Sequence, residues 1–484
     1  MPKPESSDQT GEISRREALT VGAAITASPA ILQVHAASDP VKFGVIGVGN
    51  WGSYLVEHLA RLDTGRCVAL CDVNQQALEG AAKKAGTNPQ KYKDYRDLLG
   101  NKDVQAVLIA APLYLHFPIT RDSLLAGKHV FCENSLVFKA EEVHSLRSLA
   151  AQHPQQILQV GLQRRYSIYF QSVKRMIDAG VLGNVTHIQA QWHRNPGWTI
   201  KSGGKDNPKN WPLFREFSGG LAAEFASHHV DVADWYFGAR PEFVVGVGGL
   251  DYWKDGRDVF DNIQLIYGYP NGRKLTYSAI STNQHLPILS SQRTECGVVV
   301  MGTAGAVEIT LGINDALPTA MWFREPSAGP AKGVPIITPG SEVNWDKDSF
   351  LERESKFARR WLYEKGILLP QEEINPIDTQ LESFLGDVRS AGRPRADLEL
   401  GLASSTAAIL SNIAMDETRR VLFKEIETMG IAAPTAPVSP ALGAPQPPSA
   451  DTSGAKALTK PAAKGAPAPV NKPAPLGTPA LKKH

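Results

Sequence analysis

Three glycines and one aspartate carry the clearest chemical signal in the sequence. Gly47, Gly49 and Gly52 form a G-x-G-x-x-G pattern directly after an apolar run, and Asp72 follows about twenty residues later. In this pattern the first glycine makes a tight turn, the second lets backbone approach a pyrophosphate, and the third lets a helix pack on a strand. Three glycines can also simply make a turn. The strand, loop, helix and terminal carboxylate together predict a bound dinucleotide, with Asp72 accepting hydrogen bonds from the ribose.

The residues around this motif refine the cofactor prediction. Asn50 and Trp51 lie inside the loop and are predicted to contact the cofactor with the glycines. A helix pattern beginning near Ser53 would direct free N–H groups and a positive dipole end toward the phosphates. Val73 and Asn74 follow Asp72 and offer no arginine for a 2′-phosphate, so NAD is favoured over NADP.

Alternating strand and helix patterns between residues 41 and 163 must position this motif. Apolar strands alternate with helices such as Asn74–Ala85 and Ala140–Gln152, which predicts a parallel sheet with helices on both faces. Ligands of such sheets lie beyond the carboxyl ends of the strands. The residues that follow those ends, and are therefore expected to converge, are Pro112, His116, Glu133, Asn134 and Gln163.

The second half of the chain has a different pattern. After an amphipathic helix at Ser167–Ala179, the segment Val185–Trp192 alternates apolar and polar residues like a half-buried strand. Further strands are predicted at Phe243–Gly248, Val259–Tyr269, Arg273–Ile280, Gly297–Met301 and Val307–Ile309, with Pro270-Asn271-Gly272 as a hairpin turn. Helices are predicted at Lys347–Glu364, Asn375–Ala391 and Asp397–Lys424.

Several segments share a specific family pattern between about Val41 and about Ala414. They are Gly47-x-Gly49-x-x-Gly52, Pro112-x-x-x-His116, Ala126-Gly127-Lys128-His129-Val130-x-x-Glu133, Gly161-Leu162-Gln163-Arg164-Arg165, Gly219-Gly220-x-x-x-Glu224-x-x-x-His228-x-x-Asp231 and a final segment from Arg393 to Gly401. The chain thereby resembles the glucose–fructose oxidoreductase, inositol dehydrogenase and rhizopine catabolism (Gfo/Idh/MocA) family.

This resemblance implies an α/β fold in two domains. Residues 41–163 would form an N-terminal Rossmann dinucleotide-binding domain. Residues 164–427 would form a C-terminal α/β domain with a large, mostly antiparallel open sheet. The resemblance also implies hydride transfer between a nicotinamide and a sugar, polyol or related alcohol. One uncovered face of so large a sheet predicts homo-oligomerisation through that face.

Glu224 and His228 are the predicted proton-handling pair. They are four residues apart on a predicted helix and therefore share one face. Oxidation of an alcohol requires removal of the hydroxyl proton as hydride leaves carbon. The resemblance implies that His228 is the base with the acid beside it, although the family carries Asp where this chain has Glu224. The alternative is that His228 is a packed helix histidine at a domain seam.

Four further residues are assigned to the substrate pocket. Trp192 and Arg194 leave the end of one strand together, where Trp192 would stack on a sugar and Arg194 would donate hydrogen bonds. Packing of Trp192 in the core explains its position equally well. Arg165 and Tyr166, which follow the last strand of the first domain, complete the predicted set.

Asn134 departs from the family pattern and leaves three functions open. Dehydrogenases of the family carry Glu-Lys-Pro where this chain has Glu133-Asn134-Ser135. The lysine holds the reacting hydroxyl, whereas Asn134 can donate a hydrogen bond but has no charge and cannot relay a proton. The main expectation is an NAD-dependent oxidoreductase. The alternatives are a redox-neutral NAD-dependent glycosidase or lyase, and an inactive sugar- or dinucleotide-binding protein.

The two ends of the chain have compositions unlike the rest. Ser14-Arg15-Arg16-Glu17-Ala18-Leu19, with an apolar run ending near Val34, predicts a twin-arginine export signal over residues 1–37 and a periplasmic location. An ordinary disordered N-terminus is the alternative. Residues 430–484 are rich in Pro, Ala and Lys and are predicted to be disordered. An exported enzyme cannot exchange free NAD, so its cofactor would have to stay bound.

Charge and cysteine content exclude several other classes of protein. A formal charge of +2 over 484 residues is no nucleic-acid signature. The apolar run near the N-terminus is too short, and too interrupted by Pro29, to predict a membrane span. The four cysteines lack metal-ligand spacing with histidines, so no metal site is predicted and they are interpreted as buried thiols.

Overall fold

The computed structural model describes residues 39–194, 200–283, 296–311, 319–324, 367–369 and 374–429. These residues belong to one compact unit. The predicted signal segment, the helix predicted at Lys347–Glu364 and the predicted disordered tail lie outside the described residues.

A six-stranded parallel sheet forms the first half of the described fold. Its strand order is β3-β2-β1-β4-β5-β6. The strands are β1 (Val41–Ile46), β2 (Gly65–Cys71), β3 (Gln90–Tyr92), β4 (Ala106–Ile109), β5 (His129–Glu133) and β6 (Leu158–Gly161). Helices cover both faces, which is why β4 is buried at every position and its sequence is a continuous apolar run. This is the predicted Rossmann arrangement. Strands β2 and β3 are added on one side of β1 and strands β4 to β6 on the other, so the strand order reverses beside β1.

The helices of this domain begin and end close to the predicted positions. They are α1 (Asn50–Leu59), α2 (Gln75–Lys84), α3 (Tyr95–Leu99), α4 (His116–Leu125) and α5 (Ala140–Gln152). The Asn74 side chain caps α2 by accepting from the backbone N–H groups of Gln76 and Ala77. α1 starts three residues before the predicted Ser53, at Asn50 directly after the second motif glycine.

A nine-stranded sheet forms the second half, in the order β14-β13-β12-β11-β7-β10-β9-β8-β15. Its strands are β7 (Val185–His193), β8 (Phe243–Gly249), β9 (Asn262–Gly268), β10 (Lys274–Ile280), β11 (Cys296–Gly302), β12 (Gly305–Leu311), β13 (Thr319–Arg324), β14 (Ile367–Leu368) and β15 (Val421–Leu422). Every described strand pair is antiparallel except β7 with β10. The expected mostly antiparallel sheet is therefore confirmed.

The hairpin predicted at Pro270-Asn271-Gly272 joins β9 to β10. Asn271 and Gly272 adopt φ values of 62° and 74°, and the Tyr269 N–H donates to the Arg273 carbonyl at 2.9 Å. Asparagine and glycine tolerate this left-handed conformation best, which explains why this tripeptide closes the hairpin.

Helices pack against one face of the nine-stranded sheet. They are α6 (Ile168–Asp178), α7 (Ser227–Phe237) and α9 (Leu398–Asp416), and a π-helical turn at Ala222–Ala226 leads directly into α7. On the other face Val247 is 63% exposed and Ile266 is 42% exposed. The sheet therefore has one covered and one open face within the described residues. α9 is long and apolar enough to cross a membrane, but most of it is buried inside the protein.

A late helix of the second half packs on the first domain, which the predicted boundary at residue 163 did not anticipate. Helix α8 (Pro376–Ser390) buries Leu381 and Phe384 in the same apolar cluster as Phe43 of β1. His58 Nδ1 of α1 also lies 2.5 Å from Asp378 Oδ1 of α8. The first domain is thus completed by residues more than two hundred positions downstream.

The helix predicted at Asp397–Lys424 is wrong over its last eight residues, 417–424. α9 ends at Asp416, and Thr418 has a φ of 48°, which an α-helix cannot include. The following residues Val421 and Leu422 pair with β8 as the edge strand β15. Pairing at the sheet edge outweighed the local helical pattern.

Candidate active site

Each glycine of the motif has a separate geometric reason in the structure. Gly47 adopts a φ of +84°, and a Cβ there would lie 2.6 Å from the backbone nitrogen of Ala111. A Cβ on Gly52 would collide with the carbonyl oxygen of Gly47, so α1 can approach the loop only with glycine at that position. A Cβ on Gly49 would meet no atom within 4 Å. Space next to the backbone is therefore open at the position where a pyrophosphate is expected to approach.

The start of α1 faces this open space. Gly49 is the N-cap residue, and no side chain among the described residues caps the helix. Asn50 and Trp51 are exposed in the first turn. Uncapped N–H groups and the positive end of the helix dipole attract anions, so the loop fits the diphosphate of a dinucleotide.

Asp72 ties the end of β2 to the glycine loop. Its Oδ2 accepts a hydrogen bond from the Val48 N–H at 2.9 Å, and its Oδ1 accepts from the Asn74 N–H at 2.8 Å. Each carboxylate oxygen has a second lone pair, so these bonds leave capacity for a ribose hydroxyl. The predicted ribose contact is compatible with this geometry.

Glu133 lies at the end of β5, within reach of the loop. The Trp51 indole and the Asn134 N–H donate hydrogen bonds to it, but burial is the larger effect and raises the pKa of Glu133 to about 7. A Cβ on Gly161 would collide with this carboxyl group, so glycine at the end of the neighbouring strand β6 leaves the room in which the carboxyl group lies. The structure thus brings Trp51, Glu133 and Asn134 together at the carboxyl edge of the sheet.

His116 joins the two loops that follow β4 and β5. Its Nδ1 lies 2.7 Å from the Ser135 carbonyl oxygen and its Nε2 lies 2.8 Å from the Ala111 carbonyl oxygen. Burial lowers the pKa of His116, so the neutral ring donates to one carbonyl at a time. Both ring nitrogens therefore face backbone carbonyl groups of the protein, and His116 holds the loops after β4 and β5 in place. Pro112 precedes the short turn Leu113–Leu115, and Gln163 begins the turn after β6; both are half-buried at this edge.

Asn134 connects the first domain to two helices of the second. Its Nδ2 donates to Ser227 Oγ of α7 at 2.7 Å, and Ser404 Oγ of α9 donates to its Oδ1 at 3.0 Å. One Nδ2 hydrogen remains for another acceptor. The amide expected to face the reacting hydroxyl is thus largely engaged in holding α7 and α9.

Glu224 and His228 lie on consecutive turns, but the first turn is π-helical rather than α-helical. Single π-helical turns inside α-helices occur frequently at functional sites. Glu224 Oε1 accepts from Ser218 Oγ at 3.3 Å. Burial raises the pKa of Glu224 to about 7, opposed by the Ser218 hydrogen bond and by the charge of Arg194. Arg194, which follows β7, is therefore close enough to influence this carboxyl group.

His228 is 9% exposed, and its Nδ1 has no hydrogen-bond partner among the described residues. Burial and the charge of Arg164 lower the pKa of His228 to about 3. The ring is therefore neutral near pH 7 and can accept a proton. The pKa of an unperturbed histidine is near 6.5.

Arg165 and Tyr166 do not occupy the substrate positions expected of them. Arg165 makes a bidentate ion pair with Asp231 of α7, with its Nη2 2.8 Å from Asp231 Oδ1. Tyr166 is 1% exposed in the apolar core of the first domain. The turn Gln163–Tyr166 lies between the two domains. Arg165 therefore joins the turn to α7, and Tyr166 packs in the core of the first domain.

Trp192 is half-buried and packs against the core, which was the alternative to stacking on a sugar. Its ring stacks on Phe225 at a centroid distance of 4.4 Å, and the Arg164 guanidinium carbon lies 5.4 Å from the ring centre. The ring of His228 lies 6.1 Å away. Trp192 therefore borders the Glu224–His228 pair through packing.

Four polar residues of this site were missed by sequence reasoning. Ser218 contacts Glu224, Ser227 and Ser404 contact Asn134, and Arg164 lies beside Trp192. Arg164 lies within the family segment Gly161–Arg165, directly before the predicted substrate residue Arg165, so the sequence offered a signal that it belongs to the site. The serines have no sequence signal because Ser227 and Ser404 are 93 and 270 residues from Asn134.

Two family profiles match the chain. Residues 41–162 match the Gfo/Idh/MocA oxidoreductase family with its NAD-binding Rossmann fold, and residues 170–308 match a Gfo/Idh/MocA C-terminal domain. An inositol 2-dehydrogenase of Rubrobacter xylanophilus is 28% identical over 56% of this chain and 72% of its own length. An inositol 2-dehydrogenase of Salmonella typhimurium is 32% identical, but over 30% of this chain and 43% of its own length.

Solved structures share the fold over most of the chain. A scyllo-inositol dehydrogenase of Lactobacillus casei with bound NAD(H) and scyllo-inositol superposes with a TM-score of 0.58 at 19% identity, covering 80% of this chain and 99% of that one. An aldose–aldose oxidoreductase of Caulobacter crescentus gives 0.61 at 18% identity, covering 79% and 99%. Together with profile matches over more than half of the 484 residues, these findings show that the chain belongs to the Gfo/Idh/MocA family of NAD-binding oxidoreductases.

Proposed function

We propose that this protein transfers hydride between a bound NAD and a carbinol carbon of a sugar, polyol or glycoside. The observation that carries the proposal is the pairing of an open dinucleotide cradle over Gly49 with the buried pair Glu224 and His228. Relatives named inositol 2-dehydrogenase support a cyclic polyol or sugar as the substrate class.

The first domain supplies cofactor binding in this proposal. The N–H groups at the start of α1 hold the diphosphate, and Asp72 holds the adenosine ribose. Asp72 favours NAD because a 2′-phosphate would meet its negative charge and Val73 and Asn74 offer no positive partner. NAD, when bound, supplies the nicotinamide that accepts hydride from the substrate carbon.

Proton transfer is assigned to the π-helical turn and α7. The unpartnered Nδ1 of neutral His228 accepts the hydroxyl proton as hydride leaves. Glu224, with a pKa raised to about 7 by burial, exchanges a proton with water near neutrality. The second Nδ2 hydrogen of Asn134 can donate to the substrate oxygen, without the charge that a lysine would add.

The proposal is tested first by identifying the nucleotide released from the denatured protein and then by assaying a panel of inositols, aldoses and glycosides. We expect NAD to be released, and NAD reduction or glycoside turnover to be abolished in His228→Ala. His153→Ala, which changes a histidine at the end of α5 in the first domain, is the matched control and should retain turnover. Unchanged turnover in His228→Ala would place the proton acceptor elsewhere.

The redox-neutral glycosidase or lyase is the second candidate, and the position of Asn134 favours it. An amide committed to Ser227 and Ser404 offers little charge stabilisation for a net alcohol oxidation. In a redox-neutral cycle the substrate is oxidised to a ketone and eliminates a neighbouring group, which leaves a double bond beside the ketone. In a glycosidase water then adds to this double bond, whereas in a lyase it stays, and in both the ketone is reduced again on the same nucleotide. A glycoside consumed in heavy water without accumulation of NADH, with deuterium entering beside the transiently oxidised carbon, would establish this cycle. Stoichiometric NADH from a free sugar without deuterium uptake would exclude it.

We also propose that the enzyme is exported and assembles through its open sheet face. The arginines at positions 15 and 16 support export.

The open face of the nine-stranded sheet carries a shallow cavity of about 520 Å³ between residues such as Gln189, Val247 and Ile266. Exposed apolar side chains on this face are what a second copy of the same sheet would cover. Light scattering of wild type and Val247→Lys would test the assembly, since a charge at a buried interface should produce monomers.

A further inference from the structure

Two aromatic side chains meet at a right angle on the loop between β8 and β9. The rings of Tyr252 and Trp253 have their centroids 5.0 Å apart and their planes inclined by 88°. Tyr252 is 65% exposed and Trp253 is half-buried. We call these two residues the aromatic corner. Large apolar side chains that are exposed side by side are uncommon on a protein surface and mark ligand-binding surfaces.

A buried carboxylate fixes the backbone of the aromatic corner. Asp261 is 1% exposed, and its Oδ2 accepts hydrogen bonds from the N–H groups of Tyr252 and Trp253, each at 2.9 Å. The Trp253 indole N–H donates to Ser281 Oγ at 3.1 Å, and the Arg257 guanidinium carbon lies 5.2 Å from the centre of the Trp253 ring. The corner is therefore formed before a ligand arrives, which lowers the entropic cost of binding.

Ser281 places the aromatic corner on the face of the nine-stranded sheet that α7 covers. The Ser281 N–H donates to the Asp261 carbonyl at 2.9 Å, so Ser281 continues β10 two residues after Ala279. Ala279 lies in the apolar cluster that contains Val230 of α7, and alternate residues of a strand face the same side. The Ser281 side chain, to which the Trp253 indole is bonded, therefore lies on the same face as α7.

Two contacts connect this end of the sheet with the segment Glu224–His228. The Arg194 N–H donates to the Ile280 carbonyl at 2.9 Å, and the charge of Arg194 acts on the Glu224 carboxyl group. A Cβ on Gly220, two residues before the π-helical turn, would lie 3.2 Å from Val259 of the same β8–β9 loop. The loop that carries the aromatic corner thus borders the candidate active site.

The side chains around the corner favour a neutral ligand that carries hydroxyl groups. Asp251 and Lys254 flank Tyr252 and Trp253, are both exposed and have opposite charges, so together they attract neither anions nor cations. A carboxylate accepts hydrogen bonds and an ammonium group donates them, so both can bind hydroxyl groups. A pyranose ring presents C–H groups on its faces, which pack on an aromatic ring, and hydroxyl groups at its rim.

We propose that Tyr252 and Trp253 form a subsite for the second sugar ring of a glycoside whose first ring lies at His228. The ring joined to the reacting one through the glycosidic oxygen would pack on the aromatic corner. The substrate class is therefore a glycoside with at least two sugar rings. The identity of the first ring's site rests on the proposed function, whereas the packing of a sugar on the corner does not.

The subsite is tested by calorimetric titration of the full-length, NAD-loaded protein with three pairs of sugars. The pairs are maltose with methyl α-glucoside, cellobiose with methyl β-glucoside, and lactose with methyl β-galactoside. At least one disaccharide should bind about tenfold more tightly than its methyl glycoside, which is the size of one good ring contact. Tyr252→Ala should remove this preference, and Tyr252→Phe should retain it because the ring is kept.

Leu125→Ala, which removes another exposed apolar side chain at the end of α4, is the matched control and should keep the preference. No preference in any pair for the wild type, or a preference that survives in folded Tyr252→Ala, would overturn the subsite. If Tyr252→Ala dissociates an assembly in light scattering without changing the preference, the corner is a protein contact instead.

The subsite and the proposed function can fail separately. A disaccharide preference that Tyr252→Ala removes, in a protein that never transfers hydride, would contradict the proposed function and leave the subsite in place. Hydride transfer from a methyl glycoside, without any disaccharide preference, would contradict the subsite alone.

Discussion

The acid–base character of Glu224 and His228 is set by their surroundings rather than by residue type. An unperturbed glutamate and histidine would titrate near 4.3 and 6.5. Burial reverses this order, raising the pKa of Glu224 to about 7 and lowering that of His228 to about 3. Glu224 is therefore the member of the pair whose charge changes near neutral pH, and His228 is neutral in the resting enzyme over the same range.

This reversal predicts the pH dependence of the reaction. If ionised Glu224 receives the proton from the site, kcat/KM for alcohol oxidation should fall about tenfold per pH unit below its pKa of about 7. Glu224→Gln should be slower and should lose this acid limb. Glu133, whose pKa burial also raises to about 7, provides the matched control, and Glu133→Gln should keep the limb. An acid limb that persists in Glu224→Gln would assign it to another group.

Asp72 governs the choice of cofactor at the residue scale. Asp72→Ala removes the expected ribose acceptor and should weaken NAD by about 1.5–3 kcal/mol, the size of a lost charge-assisted hydrogen bond. Loss of the repulsive charge should also narrow the gap between NAD and NADP. Calorimetric titration of both nucleotides measures both effects. Equal affinity of the unmutated protein for NAD and NADP would contradict the assignment.

At the scale of elements, two variants of the glycine loop are expected to affect different properties, one nucleotide affinity and the other stability. A Cβ on Gly49 meets no atom within 4 Å, so Gly49→Ala should fold normally but bind dinucleotide at least tenfold more weakly. A Cβ on Gly52 collides with Gly47, so Gly52→Ala should lower the melting temperature even without nucleotide. Thermal unfolding and NAD titration of both variants separate the two roles. Normal NAD affinity in Gly49→Ala would show that the diphosphate lies elsewhere.

The sequence predicted elements well wherever local periodicity decides structure. The Rossmann strands, the helix predicted at Asn74–Ala85 and the hairpin at Pro270–Gly272 depend on residues within one or two turns. The π-helical turn at Ala222–Ala226 and the edge strand β15 were not predicted, because the helix pattern is the same locally and tertiary contacts decide. The same reason hides Ser404 as a partner of Asn134, since the contact spans 270 residues.

At the scale of the whole molecule, the described chain is one compact unit whose two sheets share helices. α8 completes the core of the first domain through Phe384, and α9 contacts Asn134 through Ser404. Asn134 in turn holds α7, so the cofactor edge and the Glu224–His228 segment are linked by direct hydrogen bonds. A single domain boundary at residue 163 could not show this arrangement, because the helix that completes the first domain, Pro376–Ser390, lies more than two hundred residues after that boundary.

Export is a prediction about the complete chain. Replacing Arg15 and Arg16 together with lysine should leave the precursor in the cytoplasm, folded and holding nucleotide, because the twin-arginine route recognises the arginine pair. Cell fractionation with immunoblotting measures the distribution. A double Glu5→Gln and Asp8→Asn variant, altered near the same end but outside the arginine motif, is the control. Normal processing of the lysine variant would remove the case for export.

The most direct test of hydride transfer follows the hydrogen itself. Purified protein would be incubated with inositols, aldoses and glycosides deuterated at their carbinol carbons, and the nucleotide would then be released and analysed by mass spectrometry. We predict deuterium on the nicotinamide ring with at least one of these substrates, in both the net-redox and the redox-neutral cycle, and none in His228→Ala. A nucleotide that is bound by the wild-type protein but never acquires deuterium from any of them would contradict the proposed function.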